Sequence, residues 1–542
     1  MTLGILEPST HHEHVPGTAL LEETEHHSAF LKRGTGKDAD VVLIPQPSAD
    51  PNDPLNWPLW QRDLILLLYA YCTLLCVGSI GPLFSVIALP LMAQFDLTFA
   101  QVSLLTGYNL ATVGASGILI SVLARKFGKR PIFLQSLTFC LIGTILGATS
   151  TTRSALLASR IIQGLGLALF ESVTFSIIGD MYHVHQRGSR MAVYMVSQSG
   201  IANMPSLIAG VVAERSTWQW VFWIIVIFIG IGLVFAIFFG WETAFNRNSM
   251  YNTDTSSKDC IEVIHEIKGN ATHIESAQGN LSRQFTVSSG EIPARKSFVA
   301  RMAPFSGIYT TDPAYKMFLK PFVVLLNPAV LWAVLFIAFS QLWTIVISFC
   351  TAQLFSPPPY LLNTAQIGYV TGGPIVGGFL GCLACGWVSD PIIKFMSKRN
   401  NGIYEPEFRL ILSSFILITG IPGTFLFGVM AAELKSPVIM SVLWGMVFAG
   451  CQFTANSLSG YLIDAYRDAS VDIFIMSMTI KNFLFFGFSF FLNDWVAEWG
   501  PRRAFLVIGG FTLAWAFTAI PIYIFGKRLR AWWHDSALSR LV

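Results

Sequence analysis

Ionised side chains inside long apolar stretches are costly, so chemistry is sought there first. Arg160 and Glu171 both lie in the apolar run 155–178. Eleven residues make about three helical turns, so the two share a helix face about 16 Å apart along the axis. A guanidinium at Arg160 suits a substrate anion or tunes a proton-carrying acid. A carboxyl at Glu171 takes a proton or a cationic substrate. Gln163 stands one turn beyond Arg160. A second group is Lys481 and Asn482, inside the run 472–494, with Asp472 at its start and Asp464 just before it. Lys481 reads as the neutralising partner of Asp464 or Asp472, in a structural ion pair. Gln452 and Asn456 fall at i and i+4 on one face. With Gln341 and Trp343 they form one wall of a polar and aromatic cavity, or else hydrogen-bond between helices. No histidine lies inside an apolar run, so a proton relay must use carboxylates.

Other chemistries find no support. The sequence has no Ser-His-Asp, Cys-His, H-E-x-x-H or P-loop arrangement in a fitting context, which points away from an enzyme and from ATP drive. Cys382 and Cys385 are spaced as a redox or zinc half-site but sit in a glycine-rich apolar run without a second ligand pair, where packing accounts for them. The histidines of the first 27 residues have nothing to fix a metal geometry. No metal and no cofactor is therefore expected.

The elements that position these residues follow from composition. Of 542 residues, 53% are hydrophobic and only 12% charged, with a net charge of +3. Soluble proteins average roughly 25% charged residues. A surface facing lipid explains the difference, and lipid demands helices whose backbone is satisfied internally. The small net charge and scattered cations argue against nucleic acid. Runs of about 20 apolar residues cross a bilayer. Twelve are read, at 64–88, 102–123, 132–149, 155–178, 191–213, 219–240, 328–350, 366–389, 409–431, 437–462, 472–494 and 503–526. They are numbered spans 1 to 12.

The expected layout is a tail over 1–62, six spans within 63–240, a polar loop over 241–326 with a short surface helix, six spans within 327–527, and a tail over 528–542. Six plus six around a long loop is the pattern of a duplicated transporter. Of the Lys and Arg in the short loops and the C-terminal tail, fifteen fall on one side, among them Arg125, Lys129, Arg187, Lys394 and Arg540. Five fall on the other: Arg153, Arg215, Lys435, Arg502 and Arg503. The positive-inside rule makes the first side cytoplasmic, with both termini and the central loop. The sequons at Asn270 and Asn280 then face the cytoplasm and should stay unmodified. Glycine patterns at Gly372–Gly381 and from Gly200 through Pro205 to Gly210 let helices approach closely and bend.

The ordered motifs resemble the major facilitator superfamily over about residues 50–530, and within it the fungal drug:proton antiporter group, which includes polyamine and drug transporters. Asp53-Pro54-Leu55-Asn56-Trp57-Pro58 precedes span 1. Phe127-Gly128-Lys129-Arg130-Pro131 matches the end of the signature between spans 2 and 3. Arg160-x-x-Gln163-Gly164-x-Gly166 matches the span 4 signature. Trp218-Gln219-Trp220 opens span 6, Glu242-Thr243 follows it, and Glu405-Pro406-Glu407-Phe408-Arg409 opens span 9. Two departures stand out. Arg125 occupies the place of an acid, so Asp390, after Gly386 in the second half, is expected to keep that role. Span 5 retains Pro205 but not the paired glycines of the antiporter signature.

The resemblance implies an all-α membrane protein of twelve transmembrane helices in two six-helix pseudo-repeats. It implies proton-coupled efflux of a drug or secondary metabolite across the plasma membrane by a monomer, with Arg160, Gln163, Glu171, Asp464, Lys481 and Asn482 handling protons or substrate. Arg125, Gly128, Arg130, Pro205, Gly386 and Asp390 would gate the movement. Expected partners are a small-molecule substrate, protons and the bilayer. The alternative is proton-coupled uptake of a cationic nutrient such as a polyamine; a non-transporting membrane sensor is a third reading.

Overall fold

The computed structural model describes residues 4–7, 18–20, 47–48, 50–200, 203–245, 294–310, 312–400, 403–466, 469–536 and 538. Asn270, Asn280 and the histidines of the N-terminal tail lie outside these residues. Among those described, eleven helices are long and apolar enough to cross a membrane. They are spans 1–4 (Leu59–Val86, Phe99–Phe127, Lys129–Ala148, Arg153–Met181), span 6 (Trp218–Phe239), and spans 7–11 (Pro328–Phe355, Thr364–Arg399, Phe408–Ala432, Pro437–Ala465, Ser470–Ser489). The eleventh is the run Leu492–Asp535, which contains span 12.

Span 5 is assembled from pieces. Val184–Met195 leads into a widened π turn, Val196–Gly200, and a second helix, Met204–Arg215, restarts with Pro205 in its first turn. Proline suits that position because the first helical N–H has no partner inside the helix. Span 1 also widens into a π turn, at Leu74–Ile80. The run holding span 12 is kinked at Gly500, whose φ of 75° only glycine adopts without strain. Span 8 continues ten residues past its expected end, so Lys394 and Lys398 ride on a helix rather than a loop.

Each six-helix set has its own apolar interior. One cluster draws nearly all its members from residues 57–241, with Tyr69, Phe133, Phe170 and Phe222 fully buried. Two clusters serve the last six spans, around Trp444 and Phe505 and around Ile337 and Leu458. The glycine pattern of span 8 packs on span 10: a Cβ at Gly377 would lie 2.0 Å from the Gly445 carbonyl oxygen.

The two sets meet along two seams. Span 2 lies on span 11, where a Cβ at Gly107 would strike Ser489 and one at Gly114 would press on Asn482. Span 5 lies on span 8, where a Cβ at Gly210 would fall 2.9 Å from the Thr364 carbonyl oxygen. Glu214 there accepts the Thr364 N–H (3.2 Å), and Asn493 donates to Ser103 across the first seam (2.6 Å). Most of these contacts lie toward the end opposite the central loop.

At the loop end, the N-terminal segment touches the second set and the central loop. Ile5 is buried against Met396 and Phe408, Glu7 pairs with Lys527 (2.7 Å), and Ala19–Leu20 pairs antiparallel with Ile403–Tyr404. Asn52 bonds Ala294 and Lys296 on the other side.

Candidate functional site

Glu171 lies near the end of the first segment of span 4, two residues before the helix shifts at Val173. It is 6% exposed, and its side chain reaches across to span 11. Oε2 accepts from Lys481 Nζ (3.1 Å) and from Asn482 Nδ2 (2.9 Å). Neighbouring helical positions normally point apart, but Lys481 has a long flexible stem and Asn482 a short one, so both reach one oxygen. The contact joins the first set of spans to the second.

Glu171 and Lys481 face a central cavity of about 180 Å³. Spans 1, 2, 4 and 5 line it on one side and spans 7, 10 and 11 on the other, and among the described residues Glu171 is the only carboxylate on its wall. Gln341, Gln452 and Asn456 line it, as do Asn109, Gln198 and Asn203. The aromatic wall is Phe175, Phe349, Trp444, Phe448, Phe474 and Phe485. Phe175 of span 4 stacks on Phe474 of span 11 at 5.3 Å between ring centroids, beyond Glu171 on the loop side. Two polar atoms on this wall have no partner among the described residues: Asn109 Oδ1 and Trp444 Nε1. Leaving such a group unpaired costs about 1–3 kcal/mol, and both atoms are turned away from the open cavity.

Arg160 is placed differently. It is fully buried and is not on the cavity wall. Nη1 donates to the Ile80 carbonyl (2.9 Å) and to Gln163 Oε1 (2.9 Å), Nη2 reaches the Gly81 carbonyl (3.5 Å), and the guanidinium lies 4.2 Å from the centre of the Phe84 ring. Gln163 in turn donates to Thr144 Oγ1 (3.1 Å). None of these partners is a carboxylate. The widened turn of span 1 frees carbonyls that would go unsatisfied, and Arg160 satisfies them. The shared face of Arg160 and Glu171 thus serves two neighbours, span 1 and span 11.

Several expectations are corrected. Lys481 pairs with neither Asp464 nor Asp472. Asp472 pairs with Arg125 (2.5 Å) across the loop end of the first seam. Asp464 pairs with Arg409 (2.7 Å) and accepts from Tyr404, away from the cavity. Burial, and then the Asp464 charge, hold the Tyr404 phenol above its ordinary range, so it stays a donor. Trp343 does not line the cavity; it packs on Phe339, Phe488 and Phe511, and Trp444 takes the wall position. Asp390 is exposed and makes no ion pair among the described residues, and Gly386 faces open space. The clasp between the two sets at this end is Arg125–Asp472, with an arginine where the acid was expected.

The loop end also carries two clamps within the sets. Glu242 accepts the backbone N–H groups of Lys129 (2.9 Å) and Arg130 (3.1 Å), at the positive end of span 3. Gly128, at φ 94°, allows this approach; a Cβ there would fall 2.3 Å from Glu242 Oε2. Arg130 caps span 6 through the Gly240 and Ile237 carbonyls, and Lys129 pairs with Asp180. In the second set Arg530 pairs with Glu405 and Glu407 (2.8 Å each), and Lys527 with Glu405 (2.8 Å). Among the described residues, no three His, Cys, Asp or Glu stand together as a metal site.

Comparison with known proteins agrees with this fold. The family description "Major Facilitator Superfamily" matches residues 69–480. An MFS-type transporter of Schizosaccharomyces pombe is 26% identical, covering 97% of this chain and 94% of its own length. Protein HOL1 of Saccharomyces cerevisiae is 24% identical over 96% of each. The efflux pump vrtL of Penicillium aethiopicum is 23% identical over 91% of each. Among solved structures, a peptide transporter POT in complex with sulfate shares the fold at a TM-score of 0.54 and 14% identity, covering 86% of this chain and 95% of that one.

Proposed function

The chain belongs to the Major Facilitator Superfamily, an integral multi-pass membrane transporter, and from that premise we propose that it exports a small organic molecule in exchange for protons by alternating access. The observation that carries this reading is the Glu171–Lys481–Asn482 contact, which ties the two sets of spans together on the cavity wall. With Glu171 ionised, the pair holds span 4 to span 11. A proton on Glu171 cancels the attraction and leaves Lys481 to seek water or a substrate acceptor. The same proton therefore both loosens the seam and changes the charge of the cavity, which is what coupling requires. Arg160 and Gln163 act through span 1, by fixing the shape of the cavity wall at Gly81 and Pro82.

The charge asymmetry of the loops supports a cytoplasmic loop end, with both termini and the central loop inside. Residues 63–240 and 327–527 then act as the two rocking bodies at the plasma membrane, and Arg125–Asp472, Gly128, Arg130 and Pro205 lie where that rocking bends or parts the chain. A second reading, uptake of a cationic nutrient, draws on Glu171 being the only carboxylate among the described residues of the cavity wall. In it the substrate cation, rather than a proton, displaces Lys481.

Purified protein in liposomes with an imposed pH gradient tests the proposal. Export by exchange predicts that an opposing proton gradient accelerates substrate movement several-fold and that Glu171→Gln removes the acceleration. Flux indifferent to the gradient would sink the coupling claim. Flux accelerated by a gradient running with an organic cation would favour the second reading.

A further inference from the structure

Between the central loop and span 7 runs a short helix, Ala314–Val324, that the transport reading leaves unused. One face is buried through Met317, Pro321 and Val324. Phe318, with Leu325 just beyond the helix, packs on Ile118 of span 2 and on Ile475 and Met476 of span 11. The helix therefore lies across the seam where the two sets meet, next to Arg125–Asp472. Its outer face carries Tyr315, Leu319 and Phe322, continued by Leu326, at 63%, 52%, 41% and 57% exposure. The spacing of four, three and four residues makes one continuous apolar stripe. It runs straight into the outer surface of span 7, where Leu331 is also exposed.

The charge beside this stripe has one sign. Over residues 294–327 the cations are Arg295, Lys296, Arg301, Lys316 and Lys320, and the only acid is Asp312. Arg301 is engaged over the Trp57 and Trp241 rings. Lys316 and Lys320 sit at i and i+4 next to the apolar stripe. An amphipathic helix with apolar side chains on one line and lysines flanking it is built to lie in a membrane interface, more strongly when the leaflet is anionic.

We propose that the helix Ala314–Val324 is a receptor for anionic lipid: Tyr315, Leu319 and Phe322 enter the acyl boundary and Lys316 and Lys320 hold the headgroup phosphates. Because its inner face grips spans 2 and 11 together, bound anionic lipid favours the conformer in which this seam is closed. The occupant is the bilayer, since the stripe is continuous with the lipid-facing wall of span 7.

The test uses the full-length protein in detergent, titrated with phosphatidylserine or phosphatidylcholine while its melting temperature is followed. Phosphatidylserine should raise the midpoint more than phosphatidylcholine, and 0.5 M salt should weaken the effect. Each lysine is worth about fivefold in lipid affinity, equivalent to about 1 kcal/mol. K316Q/K320Q should therefore need about twenty-fivefold more phosphatidylserine, while K316R/K320R responds as the parent does. Equal response to both lipids, or an unchanged response of K316Q/K320Q, overturns the proposal. A photo-crosslinking residue at Leu319 in liposomes gives a readout independent of stability. Capture of lipid supports the proposal; capture of a second copy as a covalent dimer, or of neither, overturns it.

Discussion

Arg160 and Glu171 lie on one helix, eleven residues apart, and the structure uses them in opposite ways. Arg160 is sealed inside the first six spans, where its donors meet backbone carbonyls and a glutamine. Glu171 reaches out of that set and meets a lysine and an asparagine of the other. On the rocking proposed above, the first contact stays together and the second must change, because its partners belong to different six-span sets. An intramembrane charge is therefore not functional by its cost alone. What matters is whether its partners move with it.

Breaking each contact sharpens the difference. The largest effect is expected for Glu171→Ala, which strands the Lys481 ammonium in a low-dielectric wall. Removing one partner of a buried pair costs about 3–5 kcal/mol. Substrate flux in liposomes should fall by two orders of magnitude or more. Joining it with Lys481→Met should restore much of the melting temperature but not the response to pH, and full recovery of pH-dependent flux would refute the coupling role. Next comes Arg160→Met, which orphans the Ile80 carbonyl and weakens the hold on Gly81, at about 1–3 kcal/mol per unsatisfied group. It should lower the melting temperature by several degrees. Any flux that remains should keep its pH dependence; loss of that dependence with a normal melting temperature would invert the comparison.

Smaller effects fall on the periphery. Trp444→Phe trims a ring that lines the cavity, so substrate KM should rise severalfold with little change in melting temperature. The same change at Trp343 should leave KM unaltered, since that ring packs on other aromatics. Least is expected of Arg125→Gln. Its guanidinium is about a quarter exposed, and such pairs contribute at most about 1 kcal/mol. It should alter the balance between inward and outward accessibility, read by labelling of cavity cysteines, more than it alters stability.

Much of the fold was legible because a bilayer imposes a simple rule: about twenty apolar residues, helical, between polar ends. Where that rule weakens, reading weakened with it. Span 5 is interrupted by a widened turn; Gly200 and Pro205 mark where it bends, but its apolar pattern continues through the interruption. The end of span 8 continues as helix because Lys394 and Lys398 are as good helix formers as any. At the site, the candidates were legible by type and the pairings were not. Lys481 was assigned to Asp464 or Asp472, which are nearer in sequence, yet its partner stands 310 residues away. Trp343 and Trp444 are both tryptophans in apolar spans, and only packing decides which ring faces inward. Asn109, a lone amide in the run 102–123, carries a signal in its sequence position that fits its place on the cavity wall.

The sequence by itself determined that this chain lives in a membrane, how many times it can cross, which side carries the basic loops, and which few side chains are too polar for lipid. Those properties are local and follow from the transfer energy of each residue in its window. Only the tertiary structure decided that Arg160 braces span 1, that Glu171 joins the two sets, that Arg125 and Asp472 clasp the loop end, and that a short helix lies across their seam. Each depends on which helices lie side by side, and neighbours hundreds of residues apart are chosen by packing rather than by any local preference.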